Sequence, residues 1–386
     1  MTSNQFTELL DVTNRGDLAE VGGGHNQKGV EFQRHWAVMR MFELEKAGEK
    51  DFLFLFEAIQ DVAILDSCIS PTTICVYQIK KKDRKEWAWT ELTSLHQPKD
   101  PCKTASGRKT KVKPLTEIKN SPIGKLYSTI LAFKKLKSTG RFISNAGFDL
   151  LLADGSNAAT SLPCALSELS THHLDLLSKG LETLHKTGAP VPDLSCIHLE
   201  RVFLPVDDPG TYIIGLVHKF LEDRSPRHAG QARSLVESLL AKIGPLGSKT
   251  ATCKTFDDLR AQRGYSRSDF TNALGLLECT PDLSDHLETW LNRLAQEGVG
   301  FIEITAIRTA ATAIFRRQVM GTRSNDEENL VLACDAWLAN HPDPIQLKPF
   351  FRAALDDLQS VYPSIKKQEL FAYLALRAIK KCVDQT

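Results

Sequence analysis

The sequence predicts a mixed α/β N-terminal domain followed by an all-α C-terminal domain. Three observations predict it. Strand-length apolar runs alternate with amphipathic helices up to about residue 223. Beyond that point only helical periodicities remain. The turn-rich stretch 223–226 separates the two regimes, so the domains are expected at residues 15–225 and 226–386 of the 386-residue chain.

Residues 29–47, GVEFQRHWAVMRMFELEKA, read as a helix because Phe32, Trp36, Met39 and Phe42 recur at helical spacing, and Gly48 ends it. The aromatic-rich run 52–56 has strand length, and 61–65 follows closely enough to be its hairpin partner. After the turn-forming residues 66–71, the β-branched segment 74–80 reads as a third strand. Residues 99–113 are Pro, Gly, Ser, Thr and charge, a basic loop. An amphipathic helix is expected over 124–137, with Leu126, Ile130, Phe133 and Leu136 inward, then short strands at 141–144 and 148–152. Residues 167–187 read as helical, 196–205 as a strand, and 212–221 as an apolar segment of either type. Helices follow at about 229–243, 255–263, 266–278, 283–297, 301–318, 326–340, 346–360 and 363–383. The spacing of Leu283, Leu287, Trp290, Leu291 and Leu294 shows the period well.

Composition excludes several classes. No apolar run approaches the roughly 18 residues of a membrane span, and the first residues, MTSNQFTELLDV, lack the basic and apolar regions of a signal peptide. Nine cysteines, an odd number without CxxC spacing, read as reduced thiols, so a cytoplasmic protein without a membrane partner is expected. Gly22, Gly23 and Gly24 are not followed by the Lys and Ser/Thr of a phosphate loop, and GPLGSKT at 244–250 has its glycines too close. His172 and His173 lack ligands at metal spacing and read as a surface pair. No G-x-S-x-G or H-E-x-x-H is present.

The formal charge of +1 hides an asymmetry. Between residues 80 and 141 stand 17 Lys and Arg against five acids, a local charge of +12 that leaves −11 on the rest. The bursts Lys81, Lys82, Arg84, Lys85 and Arg108, Lys109, Lys111, Lys113 are candidate contacts to a polyanion, since each neutralised phosphate releases counterions.

One constellation carries chemistry. Asp61 opens a strand, and seventeen residues later the next strand reads Gln78-Ile79-Lys80. Side chains alternate along a strand, so Gln78 and Lys80 share a face. Phosphodiester hydrolysis uses a divalent ion to polarise the phosphoryl group and acidify water. Mg2+ (or Mn2+) accepts hard oxygen ligands: the Asp61 carboxylate, the Gln78 amide oxygen and the Ile79 carbonyl, with Glu57 as a supplementary carboxylate. Lys80 would orient the water and stabilise developing charge.

This order resembles the PD-(D/E)xK restriction-endonuclease superfamily: helix, hairpin, Asp at a strand start, then x-Lys on the next strand. Gly29-Val30-Glu31-Phe32-Gln33 resembles the GxxF(E/Q) helix signature of its Mrr-like branches, which gives Gln33 a catalytic role. Phe56-Glu57-Ala58-Ile59-Gln60-Asp61-Val62, the Gln-x-Lys variant and Phe142-Ile143-Ser144-Asn145-Ala146 together resemble the double-stranded DNA endonuclease domain of bacterial antiphage systems, found in CBASS effectors and Lamassu nuclease subunits. The resemblance spans roughly residues 15–220. It implies a restriction-endonuclease-like α/β fold, double-stranded DNA as substrate and little base specificity. The helical C-terminal region resembles the Lamassu arrangement most, which implies an SMC-like ATPase and a further accessory subunit as partners. Trp337, Phe350 and Phe351 are expected as exposed aromatics that bind such a partner, with the nuclease active as a homo-oligomer. The alternative reading is a catalytically inactive DNA-binding adaptor, with Gln33 and Gln78 as remnants of lost carboxylates.

Overall fold

The computed structural model describes residues 3–18, 27–97, 114–185, 192–246, 252–278, 282–320, 322, 324–341 and 344–384. By its contacts the chain forms two compact units, each assembled from two segments: Met1–Ile213 with Lys242–Asp269, and Ile214–Ala241 with Phe270–Thr386. The units interleave along the chain, where the sequence alone draws one boundary at 225.

Elements run α1 (Ser3–Thr13), α2 (Gln27–Lys46), β1 (Leu53–Phe56), β2 (Val62–Leu65), β3 (Thr73–Lys80), β4 (Trp87–Ala88), α3 (Trp89–Thr93), α4 (Pro122–Ala132) and β5 (Lys137–Ser144). Next come β6 (Phe148–Asp149), β7 (Cys164–Ala165), α5 (Thr171–Glu182), β8 (Ile197–Arg201), α6 (Pro209–Arg224), α7 (Ala232–Ile243), α8 (Phe256–Arg263) and β9 (Gly264–Ser266). Seven strands form one mixed sheet in the order β7-β8-β5-β3-β2-β1-β9. The β1–β2 and β2–β3 pairs are antiparallel, whereas β3–β5 and β5–β8 are parallel. Helices cover both faces, so the central strands are buried on both sides and lose the polar alternation of a half-exposed sheet. Trp36 of α2 packs on Tyr77 at 4.8 Å between ring centroids. On the opposite face Leu126 and Ile130 of α4 join Val76, Phe142 and Leu199 in one apolar cluster.

Several expectations change. The helix expected over 124–137 stops at Ala132, where Phe133 turns to extended backbone, and Lys137 opens β5. The strand is longer than its apolar end because pairing with β3 supports its polar beginning, and β8 joins only from Gly140 onward. The expected all-helical region after 225 contributes β9, whose Gly264, Tyr265 and Ser266 pair with Leu55, Phe54 and Leu53. Without it, the fully buried β1 would be an open sheet edge. His173 is buried, bonded to Ser170 Oγ at 2.7 Å and packed edge-on against Trp89, so only His172 is on the surface. The sequence reading misses α1. Its Glu8 carboxylate accepts the backbone N–H groups of Lys134, Lys135 and Leu136 and ties down the α4–β5 connection.

The second unit is helical: part of α6 and α7, then α9 (Arg267–Glu278), α10 (Ser284–Gln296), α11 (Phe301–Met320), α12 (Asn325–Ala339), α13 (Leu347–Val361) and α14 (Lys367–Asp384). Trp337 and Phe351, expected on the surface, are core residues. Phe351 is fully buried and stacks on Phe371 at 4.4 Å, and Trp337 donates its Nε1–H to Asp357 at 2.8 Å. Phe350 is half-buried against both. The helix period places apolar residues on one stripe but does not say which stripe faces α14, whose run 370–376 is buried throughout. The most exposed large apolar residues described in this unit are instead Phe301, Ile302 and Ile345, at 82%, 85% and 93%.

Gly140 sets how closely α4 approaches the sheet: a Cβ there would lie 2.5 Å from Ile130 Cδ1 and 2.9 Å from Leu126 Cγ. Overpacking of this kind costs about 1–3 kcal/mol. Gly140→Ala is therefore expected to lower the unfolding free energy by that amount, read as a lower urea midpoint at unchanged m-value. A midpoint equal to wild type would show that α4 has room to retreat.

Candidate active site

Local pairing builds the site. The β2–β3 register places Val62 opposite Tyr77, and its continuation puts Asp61 opposite Gln78. Cross-strand partners share a face, as do residues two apart on a strand, so Asp61, Gln78 and Lys80 project together. Asp61 is 5% exposed. Its Oδ2 accepts the Ile79 N–H at 2.5 Å, and its Oδ1 accepts from Lys80 Nζ at 3.3 Å. Lys80 is at the C-terminal end of β3, where parallel strands of α/β sheets present their ligand sites. Its side chain is 26% exposed, so the ion pair has one buried and one solvent-reaching partner.

Gln78 is 1% exposed, as buried as any apolar neighbour, because helices cover both sheet faces. Among the described residues its Oε1 has no hydrogen-bond partner. A buried acceptor left unpaired costs about 1–3 kcal/mol, a cost native proteins rarely carry without a use. Gln33 of α2 reaches the neighbouring residue from the other side and donates its amide to the Ile79 carbonyl at 3.3 Å. The Gln33, Asp61, Gln78, Ile79 and Lys80 positions read from the sequence thus converge on one strand end.

Glu57 is exposed in the β1–β2 turn at φ 48°, a left-handed conformation. Its backbone closes that turn: the Glu57 N–H donates to the Asp61 carbonyl at 3.0 Å, and its own carbonyl accepts from Arg263. Glu31 is exposed on α2.

These donors fit a hard, oxygen-liganded divalent ion: one carboxylate, one unpartnered buried amide oxygen and one backbone carbonyl. Among the described residues no group of three or more His, Cys, Asp or Glu could hold a metal, so a single carboxylate would anchor it. Mg2+ keeps most of its water and tolerates such a partial protein shell.

Two supporting residues escape sequence reasoning. Gln60, 3% exposed, donates to Thr129 Oγ1 at 3.1 Å and to the Leu18 carbonyl at 3.4 Å, which fixes the turn before Asp61. An amide inside an otherwise apolar turn was the available signal. Ser144 lies opposite Lys80 on β5, fully buried, and its Oγ accepts the Trp87 indole N–H at 2.8 Å.

The basic burst after Lys80 divides. Lys82 Nζ bonds to Glu91 at 2.5 Å and to the Glu86 carbonyl at 2.8 Å, and lies 4.6 Å from the Trp87 ring centre. That ion pair and the Ala88 N–H hold the Glu91 carboxyl below its usual range, the backbone bond being the larger cause. Lys81 pairs with Asp83 at 2.9 Å. Arg84 and Lys85 are exposed, Lys85 at φ 61°. Arg108, Lys109, Lys111 and Lys113 lie outside the described residues.

Gln78→Leu tests the unpartnered amide. Its removal is expected to leave the melting temperature unchanged or higher while metal-promoted cleavage falls at least tenfold. A fall in melting temperature with full cleavage would make Gln78 structural.

The family model of the Cap4 double-stranded DNA endonuclease domain matches residues 21–244, more than half of the chain. No curated protein and no solved structure matches it. The chain belongs to the Cap4 double-stranded DNA endonuclease family, whose nucleases are generally metal-dependent.

Proposed function

We propose that this endonuclease, an effector of antiphage defence, hydrolyses double-stranded DNA at the Asp61, Gln78 and Lys80 cluster with Mg2+ or Mn2+ bound. The observation that carries the reading is the Asp61–Lys80 contact of 3.3 Å beside the unpartnered Gln78 Oε1, at the open end of β3. A bound divalent ion would neutralise phosphate charge and lower the pKa of an attacking water. Asp61 Oδ1, Gln78 Oε1 and the Ile79 carbonyl are the oxygens that would hold it. The Ile79 N–H fixes Asp61 through Oδ2, so one carboxylate oxygen is positioned while the other, Oδ1, accepts from Lys80. Lys80, held by that carboxylate at rest, swings to the scissile phosphate, orients the water and stabilises charge growing on the phosphoryl oxygens. Gln33 keeps the Ile79 carbonyl in place.

Arg84 and Lys85 extend the cationic surface beyond the site. The sequence assigns Arg108, Lys109, Lys111 and Lys113 to the same task. Contacts of this kind neutralise phosphates without reading bases, which supports cleavage with little sequence specificity. One such site cuts one strand, so a double-strand break calls for two copies, and a homo-oligomer is the active form. Restraint belongs to the helical unit, docked on an SMC-like ATPase with an accessory subunit. Its solvent-facing Phe301, Ile302 and Ile345 are better placed for that than the buried Trp337 and Phe351.

Lys80→Ala and Asp61→Ala are each expected to reduce plasmid nicking in Mg2+ by at least ~100-fold, the scale of losing one transition-state contact. Affinity for DNA in EDTA should change little, since other cations hold the backbone. Nicking by either variant at the wild-type rate would overturn the site.

A further inference from the structure

The strand end that carries Lys80 continues across the sheet into a feature the reaction does not use. The β3–β5 register places Lys80 opposite Ser144, and the β5–β8 register places Ser144 opposite Arg201. With strands about 4.8 Å apart, the Arg201 backbone lies ~10 Å from that of Lys80, on the same face of the sheet. Beyond β8 the chain stays extended: Val202 and Leu204 are buried at 7% and 2%, whereas Phe203 is 76% exposed. The Val202 N–H donates to the Ser144 carbonyl at 2.8 Å, which fixes the segment. Phe203 is therefore held out into solvent by a buried residue on either side.

The ring is also oriented. The Arg201 guanidinium lies 5.3 Å from its centre, within cation–π range, and donates from Nε to the Asn145 carbonyl at 3.3 Å. Asn145 in turn bonds both backbone groups of Lys82: Oδ1 accepts the N–H at 2.8 Å and Nδ2 donates to the carbonyl at 2.9 Å. Hydrogen bonds thus connect this cation and aromatic to the loop that leaves Lys80. A single exposed apolar side chain is ordinary. One that is pinned on both sides, backed by a cation from the row of the reacting lysine and two residues further along the chain from it is a contact surface for the lysine's substrate.

We infer that Arg201 and Phe203 form a wedge against the DNA. Arg201 takes a backbone phosphate roughly three rises of 3.4 Å from the cleaved phosphodiester, and the Phe203 ring enters a neighbouring base step. Apolar wedges of this kind unstack a step and bend the duplex toward the protein, and an aromatic face accepts any base. This rests on the site proposed above and adds to it how the duplex is gripped and deformed.

The test uses the full chain in metal-free buffer with short duplexes that carry 2-aminopurine at successive positions, whose fluorescence rises on unstacking. Wild type and Lys80→Ala are both expected to give the rise at saturation. Phe203→Ala, which alters only an exposed side chain, should abolish the rise and slow plasmid cleavage about tenfold, and Phe203→Trp should restore both. Arg201→Ala should reduce the slope of log affinity against log salt by about 0.9, one phosphate's worth. A full fluorescence rise and wild-type cleavage by Phe203→Ala would overturn the wedge and leave Phe203 as a protein contact. Failure of the site itself reads differently: Lys80→Ala would nick plasmid at the wild-type rate whatever the fluorescence does.

Discussion

The hydrogen bond from the Ile79 N–H to Asp61 Oδ2, at 2.5 Å, joins the two strands that make the site and depends on their exact register. A β-strand repeats every two residues, so a slip of one would turn Asp61 to the α2 face and leave Gln78 and Lys80 without it. Hydrogen bonds to a charged acceptor contribute about 1.5–3 kcal/mol each, so this contact helps pin the pairing as well as the carboxylate. The apolar residues agree with it: Ala63 and Leu65 share Asp61's face and lie in the same cluster as Ile74 and Val76. The core and the site therefore select the same register, and neither has to be strained to obtain the other.

That agreement explains why a polar site can stand in a sheet covered on both sides. Its charged and amide groups cluster at one strand end, where Lys80 reaches solvent, while the middle of β3 stays apolar. Burial then acts on two groups differently. Asp61 keeps a hydrogen bond and an ammonium partner, whereas the Gln78 amide oxygen keeps none. Replacing the acid of the superfamily pattern by Gln78 removes a second buried negative charge, whose desolvation in such a place is expensive unless paired. The Asp61 carboxylate and the Lys80 ammonium offset each other, and the amide oxygen without a partner among the described residues is the small penalty that remains.

How far this could be read from residues follows from the range of the interactions involved. The spacing from Asp61 to Gln78 and Lys80 is local, one hairpin-like turn and two strands, and both the pattern and its face were legible. So were β1 to β3 and most C-terminal helices, which rest on periodicity. The parts that escaped depend on partners far away in sequence. β9 pairs with β1 from about two hundred residues downstream, and Glu8 of α1 caps the chain at Lys134 to Leu136. A three-residue strand and a short helix carry no periodic signal of their own. Trp337 and Phe351 show the complementary limit: the helix period predicts an apolar stripe, but only packing, on α13 for Trp337 and on α14 for Phe351, decides that it is core.

The basic segment shows why counting charge overstates a binding surface. Lys81 and Lys82 contribute to the local charge of +12, yet Asp83, Glu91 and the Trp87 ring take up their ammonium groups. Lys82 is also grasped through its backbone by Asn145, so its position organises the loop that follows Lys80. The cations left facing solvent near the strand end, Arg84, Lys85 and Arg201, are fewer but arise from two anchors: that loop and β8. An unpaired lysine at position 82 would add about one phosphate contact to the affinity. A paired one fixes where the remaining cations stand relative to Lys80, and cleavage depends more steeply on that placement than on affinity.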